Sequence, residues 1–202
     1  ATAVATALTG IKASVRAVEN KPYKRRPAAP FTTATLQQEA SRKLRMNSAT
    51  TMRVAQTLYE NGYITYMRTD SPALSSQAIT AARKQATSLY GAENVPAKPR
   101  VYSAKSDSAQ EAHEAIRPAG DSFRTPDQVR AELRSDQFRL YELIWKRTVA
   151  SQMADAVGST STLRLGAVAG GYDGEFAASG TVITFRGFLA AYEEGRDETD
   201  PQ

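Results

Sequence analysis

The spacing of apolar residues changes period twice along this chain, and that switch constrains the fold more than any other feature. Residues 10–20, GIKASVRAVEN, place Ile11, Ala13, Val15 and Ala17 at every second position, the repeat of a strand. From Thr32 to Met153 the apolar residues recur at intervals of three and four, as on amphipathic helices. Beyond Met153, STSTLRLGAV and GTVITF return to β-type residues, with a Gly-Gly and an Asp-Gly pair that read as turns. Strand, five or six helices, then strands describes a mixed α+β chain. The economical arrangement is a helical domain over 27–153 inserted between strands of one β-domain, whose parts are 1–26 and 154–202.

Start and stop signals divide the helical part. TTATLQQEASRKL opens at Thr32 or Thr33 and carries Leu36, Ala40 and Leu44 on one face. SATTMRVAQTLYENG follows, with Ser48 as N-cap, Met52, Ala55, Leu58 and Tyr59 as its buried stripe, and Gly62 closing it. YITYM alternates and reads as a short strand. Ser75 or Ser76 caps a helix to Tyr90, ended by Gly91, and 94–107 reads as a loop. A short helical turn around QEAHEAI stops at Pro118, and Thr125 with Pro126 opens another helix. Asp136 begins a longer one with Phe138, Tyr141, Ile144, Trp145 and Val149 facing inward. Lys21 to Pro30 reads as a proline-broken basic linker. The tight turn in KLRMNSATTM also gives the first two helices a helix-turn-helix (CAP-like) character.

Composition limits the function classes. The 202 residues include no cysteine, which excludes a disulfide framework and thiolate metal sites and makes the cytoplasm the default compartment. No stretch approaches the roughly 20 apolar residues of a membrane helix, so no membrane partner is expected. A start at Ala1 and a polar end, YEEGRDETDPQ, suggest a piece of a longer protein. The net charge of +5 is uneven: ten basic residues stand against two acidic ones between Lys12 and Arg53. A basic stripe suits a polyanion, because neutralising phosphates releases counterions. A solvated basic surface explains the same charge.

YITYMRTDS, residues 63–71, concentrates the chemistry. In a strand Tyr66, Arg68 and Asp70 share one face. A phenol ionises only near pH ~10 and is a poor nucleophile at neutral pH. A guanidinium two residues away can stabilise both a phenolate and a phosphate on which negative charge develops. On spacing alone the commoner reading is a half-buried strand tyrosine beside a surface arginine.

Three ordered motifs change that balance. NGYITYMRTDS resembles the active-site segment of type IA DNA topoisomerases, with APFTTATLQQEASRKL upstream and QEAHEAIRP downstream in the family's order. LYELIWKRTVASQM is also similar to the family, and the flanking β-segments resemble its arch domain less distinctively. The resemblance implies that Tyr66 attacks a phosphodiester of single-stranded DNA, forming a transient 5′-phosphotyrosine and releasing a 3′-hydroxyl that later reverses the step. Strand passage between the two steps would relax negatively supercoiled duplex DNA without ATP. Arg68 would stabilise the phosphate, and Asp70, Glu60 and Gln56 would orient groups or contact a nucleotide. His113 and Arg117 would contact phosphate or support the tyrosine, although a lone histidine is most often a bystander. Gln37 and Gln38 could bond DNA or simply begin a helix.

The family's Mg²⁺ is held by a D-x-D-x-E cluster in a Toprim domain. This chain has no D-x-D, and its one D-x-E, Asp173 and Glu175, reads as turn chemistry. Mg²⁺ is therefore expected in the full-length enzyme and not on this chain, whose partners would be the remaining domains of the same polypeptide. Alone, the chain is expected to relax nothing. The rivals are a non-catalytic helix-turn-helix DNA-binding module, an interaction domain for an acidic protein and, more remotely, a tyrosine recombinase.

Overall fold

A computed structural model describes residues 6–103 and 114–193. The chain divides into two compact units, one of strands and one mainly helical.

The first unit is a three-stranded antiparallel sheet in the order β1 (Ser14–Arg25), β2 (Ala156–Ala169), β3 (Tyr172–Phe185). β1 runs five residues past the expected strand, through what sequence pattern marks as a linker. Pro22 is accommodated opposite Ser159 because β1 is an edge strand, where a missing N–H interrupts no second ladder. Only the Gly-Gly pair makes a turn. Gly170 and Gly171 have φ of 58° and 79°, the two positive values a tight two-residue hairpin requires. The expected Asp-Gly turn is absent. Asp173 and Gly174 lie within β3 opposite Val168 and Ala167. One sheet face is polar, with Thr160 against Thr181 and Thr162 against Ser179, both 2.9 Å between hydroxyls. Arg25, the last residue of β1, pairs with Ala156, the first of β2, so 26–155 is an excursion between paired positions.

That excursion holds the helices α1 (Thr33–Leu44), α2 (Ser48–Glu60), α3 (Ser76–Tyr90), α4 (Pro126–Val129) and α5 (Ser135–Ser151). α5 is the centre of the unit and packs against α1, α2 and α3. Phe138, Tyr141, Ile144, Trp145 and Val149 are all buried on it. Its aromatic polar tips are satisfied: Trp145 Nε1 donates to Gln85 Oε1 at 2.6 Å and the Tyr141 hydroxyl to Arg124 O at 2.6 Å. α1 is capped by Thr32 and α3 by Ser75, as the sequence predicts. α2 is capped one residue earlier than expected, by Asn47, whose Oδ1 accepts from Thr50 N at 2.8 Å. Its buried face is Thr51, Val54, Ala55 and Leu58, while Tyr59 is exposed. α2 ends in a Schellman closure: Gly62 N bonds Tyr59 O and Tyr63 N bonds Leu58 O, each at 2.9 Å, with Gly62 at φ 75°. A 3-10 turn, Gly187–Ala190, belongs to this unit, and Tyr192 beyond it is buried.

Candidate active site

Residues 63–71 do not form a strand. The single pairing within them is an isolated bridge between Ile64 and Pro118. Their path is set by side-chain hydroxyls and neighbouring loops. The expected helical turn at QEAHEAI is absent from its described part, since Ile116 bridges Phe31 and Pro118 bridges Ile64 in extended backbone. Residues 110–113 of that motif, His113 among them, lie outside the described residues.

Upstream of Tyr66, the Thr65 hydroxyl donates to Ala115 O at 2.8 Å and accepts from Arg117 N at 3.0 Å. Thr65 N bonds Arg117 O, and Ala119 N bonds Tyr63 O, each at 2.9 Å. Downstream, Thr33 N donates to Thr69 O at 2.9 Å. The Thr33 hydroxyl reaches Met67 O at 2.8 Å and Thr69 O at 3.1 Å, and accepts from Thr69 N at 2.9 Å. The side chains of Ile64 and Met67 are buried beneath the segment. Tyr66 thus sits between two fixed stretches of backbone, each anchored to a different part of the fold.

Tyr66 itself is 48% exposed, and Arg68 and Asp70 are exposed with it. Exposure alternates from Tyr66 to Asp70, but the pattern of a strand fails at Ile64, which is buried although strand parity would put it on the face of Tyr66. Tyr66 meets the ring of Tyr59 edge-on, with centroids 5.3 Å apart and planes at 66°. Gln56 and Glu60 flank Tyr59 on the same helix and bond to each other, Nε2 to Oε1, at 2.8 Å. Gln38 is exposed on α1.

Arg117 has a different environment. It is buried, and Glu114 grips its Nε and Nη2 at 2.9 and 2.8 Å. Its Nη1 donates to Pro118 O and Gly120 O, both at 2.9 Å. All three guanidinium nitrogens are engaged inside the fold, which makes Arg117 a brace for the loop that holds Thr65. Burial works against the charge of Glu114, but bonds from Arg117 and from Ser75 N hold its carboxyl below the ordinary glutamate range.

No group of three or more His, Cys, Asp or Glu converges on a possible metal position among the described residues. Asp173 and Glu175, the pair that most resembles a metal motif in sequence, do not fit one. Asp173 is bonded to Arg16, and Glu175 lies 2.8 Å from Arg164 Nη1 and 3.7 Å from Arg16.

The DNA topoisomerase family model matches residues 1–202. The chain belongs to the type IA DNA topoisomerase family. It is 60% identical to DNA topoisomerase 1 of Streptomyces coelicolor over all of this chain and 21% of that protein. Against DNA topoisomerase 1 of Mycobacterium tuberculosis it is 60% identical over 98% of this chain and 22% of the other. The full-length topoisomerase I of Thermotoga maritima superimposes with a TM-score of 0.78 at 34% identity, over 97% of this chain and 34% of that one. The chain therefore spans about a fifth of the length of the bacterial relatives it matches.

Sequence pattern alone misses Tyr59, Thr33, Thr65 and Glu114. Tyr59 has the spacing of a core residue on α2 and only the packed structure turns it outward. The two threonines act through hydroxyl bonds to distant backbone, which periodicity does not register.

Proposed function

We propose that this chain is the tyrosine-bearing part of a DNA topoisomerase, in which Tyr66 cleaves one strand of DNA. The observation that carries the proposal is an exposed tyrosine on a backbone pinned at 65, 67 and 69, with the exposed Arg68 and Asp70 beside it. Tyr66 Oη attacks the phosphorus of a phosphodiester. The phenol gives up its proton, the P–O3′ bond breaks, and the departing 3′-oxygen takes up a proton. The product is a 5′-phosphotyrosyl ester and a free 3′-hydroxyl. Because the ester keeps the energy of the broken bond, the reverse attack reseals the strand without a nucleotide cofactor. Arg68 stabilises the negative charge spread over the phosphate oxygens in the transition state.

Single-stranded DNA is the immediate partner of this site, and relaxation of negatively supercoiled duplex is the outcome in the whole protein. Gln56, Glu60, Asp70 and Gln38 are proposed nucleotide contacts or orienting groups, with His113 near the phosphate. The Gln56–Glu60 bond supports joint action of those two. The sheet is proposed as part of an arch completed by other domains of the same polypeptide, working in the cytoplasm at the nucleoid. Magnesium is assigned to the longer protein, and no step here is routed through it.

The test uses the longer protein, wild type and Tyr66→Phe, with end-labelled single-stranded DNA and a detergent quench. A protein-linked 5′ end that disappears in the variant supports the reading. An adduct that survives the substitution removes Tyr66 from the chemistry. A second, non-catalytic reading draws on the three-residue turn 45–47 between α1 and α2, a helix-turn-helix spacing. It predicts preference for duplex and no adduct.

A further inference from the structure

We infer that Thr33, the first residue of α1, is a positioning residue for Tyr66; the inference rests on the cleavage reading above. Four hydrogen bonds from this one residue define the backbone just downstream of the tyrosine. Its N–H and hydroxyl both reach Thr69 O, the hydroxyl also reaches Met67 O, and Thr69 N returns a bond to the same hydroxyl. Three of the four pass through a single oxygen atom. The peptide stretch so held, 67–69, contains Arg68, so the same oxygen sets the offset between nucleophile and guanidinium.

The hydroxyl is itself held. Thr33 is at the start of a helix whose cap is closed by Thr32 and Thr35: Thr35 N donates to Thr32 Oγ1 at 3.3 Å and Thr32 N to Thr35 Oγ1 at 2.9 Å. α1 is in turn fixed by the buried Leu36 and Ala40. The helix end is therefore a rigid post, and Thr33 is its one side chain bonded to the segment that carries Arg68. Met67 is buried below, so the segment is also anchored by packing when the hydroxyl is removed. Loss of the hydroxyl should loosen the geometry of Tyr66 and Arg68 without unfolding the unit. A reacting group displaced by about 1 Å loses up to about 10²-fold in rate.

The experiment uses the longer protein with Thr33→Val, Thr33→Ala, Thr33→Ser and Tyr66→Phe. It measures single-turnover cleavage of an end-labelled oligonucleotide at saturating protein, the Kd for that oligonucleotide, and the thermal midpoint. Thr33→Val and Thr33→Ala are expected to cleave about 10- to 100-fold more slowly at saturation, with Kd within about twofold of wild type. Thr33→Ser, which keeps the oxygen, is expected to recover most of the rate. Cleavage at the wild-type rate in Thr33→Val overturns the inference. So does a loss of rate matched by loss of binding and of thermal midpoint, or failure of both hydroxyl-free variants to fold, because Thr33 would then be a structural residue only. A Tyr66-dependent adduct with no Thr33 effect rejects this inference alone, whereas an adduct that persists in Tyr66→Phe rejects the cleavage reading on which it rests.

Discussion

Tyr59 and Tyr66 stand edge to face at the end of α2, centroids 5.3 Å apart, although six residues and a helix terminus separate them. The Schellman closure at Gly62 makes this contact possible by reversing the chain immediately after Glu60. Both rings are partly exposed, so the contact orients Tyr66 without burying it. Such pairs contribute about 0.5–1.5 kcal/mol beyond area burial. Tyr59→Ala is therefore expected to slow single-turnover cleavage by roughly 2- to 10-fold, with Tyr59→Phe near wild type. Equal rates in Tyr59→Ala and wild type would make the contact incidental.

Arg68 separates a chemical role from a structural one. It is exposed and makes no hydrogen bond or ion pair among the described residues. Substitutions at such positions usually change stability by less than about 0.5 kcal/mol. Removing a donor aimed at developing charge slows reactions by roughly 10²-fold or more. Arg68→Ala should therefore leave the thermal midpoint in place while cleavage falls by about that factor. A variant that cleaves normally would deprive the guanidinium of its proposed role.

Much of this fold is legible in the sequence because local chemistry and packing agree there. Ser75 caps α3, Gly91 ends it, and the five apolar positions of α5 are all buried. Sequence reading fails where a distant partner outvotes the local pattern. Pro22 looks like a strand breaker, yet an edge strand has no second ladder to break. Asp173-Gly174 looks like a turn, but Gly170-Gly171 makes the reversal three residues earlier and leaves Asp173 to meet Arg16. YITYM looks like a strand in composition, yet Ile64 and Met67, three residues apart, are its buried positions, and Thr33 and Thr65 supply bonds a ladder would otherwise make. At the candidate site the motif marks the exposed chemistry and leaves its bracing unannounced.

The brace formed by Glu114 carries a pH dependence. Its carboxyl is held below its ordinary range in the fold, so its contribution is fully present at neutral pH and is lost as pH falls through that lowered value. Glu114→Gln removes the charge at every pH and leaves the buried Arg117 short of its partner. The variant should be less stable by about 1–3 kcal/mol near neutrality. The gap should narrow once pH falls below the ordinary glutamate range and close only beneath the lowered value, where wild-type Glu114 also takes up a proton in the fold. Amide exchange across 63–69 and 114–120, measured against pH in both proteins, checks the sign. A gap that widens in acid would contradict the assignment.

Gly187 tests how the chain re-enters the helical unit after β3. Its φ is 52°, and a Cβ there would lie 2.4 Å from Asp155 O and 2.5 Å from Ala154 O. Both obstacles are backbone, and Ala154 O already accepts from Phe188 N at 2.9 Å, so neither can yield without breaking that bond. Gly187→Ala combines left-handed strain with overpacking, together roughly 2–4 kcal/mol. Gly62 is the matched control, with φ of 75° but open space around its Cβ, so Gly62→Ala bears only the conformational part, about 1 kcal/mol. The strain at 187 should be released locally, because the buried Phe188 and Tyr192 anchor residues 188–192 and Tyr192 bonds Glu39 on α1. Amide exchange over 187–192 should accelerate in Gly187→Ala and not in Gly62→Ala. Equal protection in the two variants would mean that this tight approach is relieved at little expense and that the segment is not fixed at 187.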